Sequence, residues 1–70
     1  MKIILSYHAK KRLAERNIKM RDVEETLEMP DYTISKGDKK EAYKKIKEKT
    51  LKVVYAEEDK YLKIITLIWK

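Results

Sequence analysis

LKVVYAEEDKYLKIITLIW, residues 51–69, contains the two strongest β-strand segments of the chain. Leu51 to Ala56 and Tyr61 to Trp69 are rich in β-branched and aromatic residues, and the polar residues 57–60 between them predict a turn. Alternation divides the apolar residues of the second segment between two faces: Tyr61, Ile65, Leu67 and Trp69 on one, Leu62, Ile64 and Ile68 on the other. A strand that is apolar on both faces belongs in the middle of a sheet or beneath a second layer.

Residues 32–47, just upstream, predict the rest of a β-meander. Tyr32 to Ser35 is β-rich, and residues 36–39 contain the only glycine of the chain, which predicts a turn. Residues 41–47 predict a further strand that is exposed to solvent, although its lysines have low β propensity.

Two helices are predicted before the meander. Residues 7–16 are good helix formers without Gly or Pro, with Ser6 as the expected N-cap and Asn17 as the residue that tolerates a left-handed C-terminal position. Residues 20–29 form the second helix, which Pro30 ends. Its predicted buried stripe consists of Met20, Val23 and Leu27.

Residues 3–6 are apolar enough for a short first strand. The predicted order is therefore β-α-α-β-β-β-β. We expect an α+β fold in which two helices pack on one face of a mainly antiparallel sheet. With 70 residues, the chain is long enough for a single domain, 1–70. Its expected core residues are Leu13, Val23, Val53, Tyr55, Ile65, Leu67 and Trp69.

Composition excludes several classes of site. The chain has no cysteine and one histidine, so disulfides, thiolate metal sites and histidine-based metal sites are excluded, and we expect neither metal nor cofactor. The N-terminus does not resemble a signal peptide, and no apolar run is long enough to span a bilayer. The sequence predicts a cytoplasmic protein without a membrane partner.

The charge is basic and unevenly distributed. Eighteen basic and twelve acidic residues give a net charge of +6, which attracts polyanions such as nucleic acid. Abundant Lys and Glu without Gln also suit a thermophilic surface, which would explain the lysines without a ligand. Residues 36–52 contain eight lysines. The second helix is acidic, which excludes it as the recognition helix of a helix-turn-helix protein, because phosphates would repel it.

His8, Arg12 and Arg16 are spaced i, i+4, i+8 and fall along one ridge of the first helix. Histidine can exchange a proton near neutrality and arginine binds phosphate in a bidentate manner, so the ridge has the groups that RNA cleavage by 2′-hydroxyl attack requires. The structural alternative is that His8 caps the helix and the arginines pair with carboxylates of the second helix. Spacing by itself favours that alternative.

The string HAKKRLAERNI, residues 8–18, resembles a domain family of unassigned function with the pattern H-A-x-x-R-x-x-E-R-G-I, grouped near the RelE, ParE and BrnT toxins. The resemblance continues through Asp22 to Pro30 and, more weakly, through Leu51 to Tyr55 and Ile64 to Leu67. Asn17 stands where the family usually has glycine, and both residue types tolerate a left-handed conformation.

The resemblance implies a RelE-like fold, cleavage of mRNA on the ribosome or free, and a small antitoxin partner. The matching positions are His8, Arg12, Glu15, Arg16, Tyr43 and Thr66. Five of them are the expected catalytic residues: His8, Arg12, Arg16, Tyr43 and Thr66. From the charge distribution, the expected RNA-binding residues are Lys10, Lys11, Lys40, Lys44, Lys45 and Lys47. Two hypotheses stay open: a toxin that is an endoribonuclease without a metal, and a non-catalytic module that binds protein or nucleic acid. An endoribonuclease requires its polar groups to converge on one patch, whereas a binding module requires only a charged or apolar surface.

Overall fold

The computed structural model describes residues 2–70 as two helices and one five-stranded sheet. The elements follow the predicted order β-α-α-β-β-β-β. Their bounds are β1 Lys2–Leu5, α1 Tyr7–Glu15, α2 Met20–Glu28, β2 Tyr32–Lys36, β3 Lys39–Ile46, β4 Lys49–Glu57 and β5 Tyr61–Trp69. Neither helix has the length or the apolar content that crossing a membrane requires.

The strands lie in the order β1-β5-β4-β3-β2. Strand β5 lies between β1 and β4, which confirms the prediction that a strand with two apolar faces lies inside the sheet. Three neighbouring pairs are antiparallel, as predicted, whereas β1 and β5 are parallel. The sheet is therefore mixed. Two parallel strands require a long crossover connection, and residues 6–60 provide it between β1 and β5.

Ser6 fixes the start of α1 and confirms the predicted cap. Its side-chain oxygen accepts a hydrogen bond from the Ala9 backbone N–H at 3.0 Å, and its hydroxyl donates to the carbonyl oxygen of Ile65 at 3.1 Å. At the other end of the helix, Asn17 has a φ of 52°, the predicted left-handed conformation. The Ser6 side chain therefore joins α1 to β5 and also provides a hydrogen-bond acceptor for a backbone N–H in the first turn of the helix.

Helix α2 begins after Lys19, whose side chain makes no capping hydrogen bond. The predicted stripe is confirmed, since Val23 is fully buried and both Met20 and Leu27 pack against the core. The helix contacts β3 and β4, while α1 contacts β5 and β1. Ala9 of α1 and Val23 of α2 belong to one core cluster with residues of β4 and β5, so both helices lie on the same face of the sheet.

The core lies between the helices and that face. It comprises Ala9, Ile18, Val23, Ala42, Leu51, Val53, Tyr55, Ile64 and Leu67. Tyr55 and Trp69 were both expected in the core, and the structure buries Tyr55 and packs half-buried Trp69 against it. Leu13, another predicted core residue, also packs against this cluster.

Ile65 was predicted to be a core residue, and that prediction is wrong. The pairing of β4 with β5 shifts between Val54 and Tyr55, so that Tyr55 pairs with Ile64 and Val54 pairs with Thr66. The extra residue is Ile65, a β-bulge that interrupts the two-residue alternation. As a result Ile64 and Leu67 are buried together, and the two faces predicted for β5 do not hold along its whole length.

The prediction that residues 41–47 form a solvent-exposed strand is also wrong at the strand's centre. Glu41, Ala42 and Tyr43 are buried. Strand β3 lies between β2 and β4 rather than at an edge. The exposed strand is β2, in which every residue from Tyr32 to Lys36 is exposed.

Candidate nucleic-acid interface

One face of the sheet faces away from α1 and α2, and within residues 2–70 no helix covers it. We call this surface the open face. Its members follow from the strand registers and from the side of the sheet that holds the core. They are Lys2 and Ile4 of β1, Tyr32, Ile34 and Lys36 of β2, Lys39, Glu41, Tyr43 and Lys45 of β3, Thr50, Lys52, Val54 and Ala56 of β4, and Tyr61, Lys63, Thr66 and Ile68 of β5.

The open face is strongly basic. Glu41 is the one acidic residue among the strand positions just named, and the basic ones are Lys2, Lys36, Lys39, Lys45, Lys52 and Lys63. Between the lysines lie apolar and aromatic side chains, of which Ile4, Tyr32 and Ile34 are well exposed. A surface that alternates cations with apolar rings suits a polyanion whose bases can stack.

Two tyrosines form the centre of this surface. Tyr32 and Tyr43 are cross-strand partners, and their rings stack with centroids 4.6 Å apart and an angle of 11° between their planes. Tyr43 is buried, whereas Tyr32 is 54% exposed. The Lys52 ammonium lies 5.8 Å from the Tyr43 ring centroid. The stack therefore supports Tyr32 from one side and leaves much of it accessible to a ligand.

Glu41 lies beside the stack and accepts a hydrogen bond from the Tyr43 hydroxyl at 2.9 Å. Its carboxylate also lies 3.7 Å from the Lys36 ammonium and 3.6 Å from that of Lys52. The Tyr43 hydrogen bond, together with these two ammonium groups, lowers the pKa of the Glu41 carboxyl. Burial, followed by the bond to Glu41, raises the pKa of the Tyr43 hydroxyl.

These shifts bear on the chemistry available at the open face. The lowered pKa leaves Glu41 ionised and the raised pKa leaves Tyr43 protonated at neutral pH. A general base or acid functions best with a pKa near the working pH, and both groups move away from it. The cluster is therefore arranged to order two lysines and a tyrosine stack rather than to transfer protons.

The ridge on α1 lies on the other side of the sheet. His8 is exposed, while Arg12 and Arg16 are half-buried. Arg12 pairs with Glu15 of its own helix at 2.7 Å, and its buried Nε has no hydrogen-bond partner among the described residues. Arg16 donates from Nη1 to the carbonyl oxygen of Leu67 at 2.6 Å.

The arginines therefore do not pair with carboxylates of α2, as the structural alternative supposed. Arg16 instead fastens the end of α1 to β5. Arg16 thus has the structural role that the alternative supposed, but its partner is a backbone carbonyl of β5 rather than a carboxylate of α2.

The five predicted catalytic residues do not form one site. His8 and Arg12 belong to α1, which packs on the core side of the sheet, and Arg16 is the C-cap residue of that helix. Tyr43 and Thr66 lie on the open face, in neighbouring cross-strand rows. The sheet separates the two groups, so no single phosphate can contact all five.

The predicted RNA-binding lysines are also dispersed. Lys10 and Lys11 are exposed on α1, Lys45 lies on the open face, and Lys47 lies in the β3–β4 turn. Lys40 and Lys44 have protein partners. Lys40 pairs with Glu57, whose hydrogen bond raises the pKa of the Lys40 ammonium, and Lys44 donates to the Met29 carbonyl oxygen at 2.9 Å.

Sequence reasoning missed most of the open face, including Tyr32, Lys36, Lys52 and Lys63. The sequence does contain one signal that predicts the pairing of the two tyrosines. If residues 37 and 38 are the two central residues of a hairpin turn, counting outward pairs Tyr32 with Tyr43, as the structure has them. Among residues 2–70 there is no group of His, Asp and Glu side chains suited to hold a metal ion.

Residues 5–69 match the family described as "Domain of unknown function (DUF4258)". No curated protein and no solved structure shows significant similarity to the chain.

Proposed function

Since the chain belongs to the DUF4258 family, whose function is unknown, we propose from its geometry that the open face binds single-stranded RNA. The observation that carries the proposal is the Tyr32–Tyr43 stack, surrounded by lysines on the sheet face opposite α1 and α2. Single-stranded RNA offers unstacked bases to an exposed ring and phosphates to lysine, whereas a double helix buries its bases.

The open face favours RNA over a protein partner because of its charge. A protein interface is usually depleted of lysine at its centre, and here Lys52 and Lys36 lie beside the tyrosine stack. A bound strand would place one base against the exposed side of Tyr32 and its phosphates near Lys52, Lys63 and Lys45. Each base that stacks on an aromatic ring contributes about 1–3 kcal/mol.

Binding of mRNA by this face fits a toxin-like role, which the resemblance to RelE, ParE and BrnT toxins suggests. In that role the protein would withhold mRNA from translation, and a small antitoxin would compete with RNA for the same surface. Cleavage of the RNA has weaker support, because the groups proposed for it lie on both sides of the sheet. Of the two hypotheses, the non-catalytic one therefore agrees better with the geometry.

The test is fluorescence anisotropy with a labelled single-stranded RNA, compared with the same sequence as a duplex. Tyr32→Ala should weaken binding of the single strand about tenfold, since it removes the stacking surface. Lys63→Gln should weaken it and reduce the slope of log affinity against log salt by about 0.7, the value for one phosphate contact on a single strand.

The matched control is the double variant Lys10→Gln, Lys11→Gln. It removes two exposed lysines from α1, on the side of the sheet opposite the open face. We expect it to retain most of the affinity. If this control loses more affinity than Lys63→Gln and Tyr32→Ala, RNA binds at α1 and the proposal is wrong.

A further inference from the structure

A cleft of about 620 Å³ opens at one end of the molecule, apart from the open face. The α1–α2 turn and the first turn of α2 form one wall, the β3–β4 turn forms another, and Trp69 near the end of β5 lies between them. Its volume is in the range of small-molecule sites, which is about 300–1,000 Å³.

Four cations line the cleft, and they are Lys19, Arg21, Lys47 and Lys49. Two carboxylates, Asp22 and Glu48, also line it, so the lining is positively charged on balance. None of the four cations takes part in an ion pair within the described part of the chain. They are available to an anionic ligand.

Trp69 provides an aromatic surface in the cleft. Its indole N–H donates to the carbonyl oxygen of Arg16 at 2.9 Å, which holds the ring in place. The Lys49 ammonium lies 5.8 Å from the ring centroid. A planar base can stack on the ring where the ammonium now lies, because both interact with the same π face, and the displaced lysine is then free to contact a phosphate.

Lys47 adds an independent observation at the rim of the cleft. Three residues of the described chain have positive φ: Asn17 at 52°, Gly37 at 64° and Lys47 at 60°. Asn and Gly tolerate this conformation, whereas lysine is strained in it. A glycine or asparagine would suit the turn better, and the lysine at this position instead places a cation at the cleft.

We propose that this cleft binds a nucleoside 5′-phosphate, with the base stacked on Trp69 and the phosphate held by Lys47 and Lys49. The ligand is either a free nucleotide or the 5′-phosphorylated end of an RNA strand, which offer the same chemical groups. The site is independent of RNA binding on the open face, since the two share none of the residues named here.

Trp69 is the only tryptophan of the chain, so its fluorescence reports on this cleft alone. Titration with uridine 5′-monophosphate should give saturable quenching, with weaker effects from uridine and from inorganic phosphate. Absence of saturable quenching by the monophosphate, or equal affinity for phosphate alone, overturns the proposal. Tyr32→Ala should bind the monophosphate as the parent does, even if RNA binding to the open face fails.

Lys47→Asn separates the ligand role from the fold. It should weaken binding of the monophosphate about tenfold, because one charge-assisted contact is lost. It should also raise the melting temperature by about 4 °C, because asparagine tolerates the positive φ. Unchanged affinity, or a lower melting temperature, overturns the assignment.

The control for Lys47→Asn is Lys60→Asn, in the exposed turn between β4 and β5, which does not line the cleft. Lys60→Asn should leave the affinity for the monophosphate unchanged. If it lowers that affinity as much as Lys47→Asn does, the effect comes from net charge alone and the assignment of the site is wrong. A short RNA with a 5′-phosphate, compared with the same RNA ending in a 5′-hydroxyl, distinguishes the two sources. Tighter binding of the 5′-phosphorylated strand than of the 5′-hydroxyl strand, with the difference lost in Lys47→Asn, identifies the RNA end as the ligand. Equal binding of the two strands, together with saturable binding of the monophosphate, identifies the free nucleotide.

Discussion

The indole N–H of Trp69 donates a hydrogen bond to the backbone carbonyl oxygen of Arg16 at 2.9 Å, and the Arg16 side chain returns to the same strand through the Leu67 carbonyl. The two bonds join residues more than fifty positions apart and close the end of α1 against β5. Arg16 is therefore a structural residue, whatever α1 contributes to ligand binding.

We expect Arg16→Ala to destabilise the protein by about 1.5–3 kcal/mol, the range for a hydrogen bond from a charged group. Arg12→Ala should cost less than about 1 kcal/mol, since its ion pair with Glu15 is partly exposed and lies within a single helix. Chemical denaturation of both variants measures the difference. A larger loss for Arg12→Ala would show that the buried part of its side chain matters more than the Arg16 bond.

Because of the β-bulge at Ile65, we expect alanine substitutions at Ile65 and Leu67 of β5 to differ in their effect on stability. Leu67 is fully buried, so Leu67→Ala should cost about 2–5 kcal/mol. Ile65 lies outside the core cluster, so Ile65→Ala should cost clearly less. Denaturant midpoints of the two variants provide the comparison, and equal losses would mean that the register shift is absent in solution.

The lowered pKa of Glu41 predicts how stability depends on pH. In the unfolded chain a glutamate has a pKa near 4.5, and in the folded protein Glu41 lies below that value. Its ionised form therefore stabilises the fold above pH 4.5, and this contribution is lost as the pH falls through the folded value.

Replacing Glu41 with Gln should remove this contribution while keeping an acceptor for the Tyr43 hydroxyl. The melting temperature of the parent should then fall more steeply than that of Glu41→Gln as the pH is lowered from about 5 to 3. Parallel curves would indicate that the carboxylate is not stabilised by its neighbours. The variant also tests whether Glu41 orders Lys36 and Lys52 for RNA binding.

The separation of the predicted catalytic residues has a direct consequence for activity. Because Tyr43 and Thr66 lie across the sheet from α1, we expect the purified protein to leave single-stranded RNA uncut in the presence of a chelator. If expression of the parent inhibits growth, His8→Ala should inhibit it equally, with an unchanged melting temperature because His8 is exposed. Cleavage by the parent that His8→Ala abolishes would restore the nuclease hypothesis.

Local chemistry explains why much of the fold is predictable. Ser6 caps the helix that follows it, Asn17 adopts the left-handed conformation after it, and both properties depend on a few adjacent residues. The placement of β5 inside the sheet also follows from its composition, since a strand with two apolar faces cannot remain at an edge.

The site was harder to predict because it depends on pairings between distant residues. Tyr43 and Glu41 looked exposed among their lysines, yet β2 and β4 bury them from both sides. His8, Arg12 and Arg16 looked like one functional group because helical spacing aligns them, but spacing carries no information about what lies opposite the helix.

The order of the elements, the ends of the helices, the interior position of β5 and the excess of positive charge can all be read from the amino-acid sequence. Which side chains share a face follows from the folded structure alone. A single extra residue, Ile65, moves the residues after it to the opposite side of the sheet, and it does so through pairing with β4. Helical and turn preferences depend on neighbours along the chain, whereas a strand register depends on contacts across the sheet, and the open face is defined by those contacts.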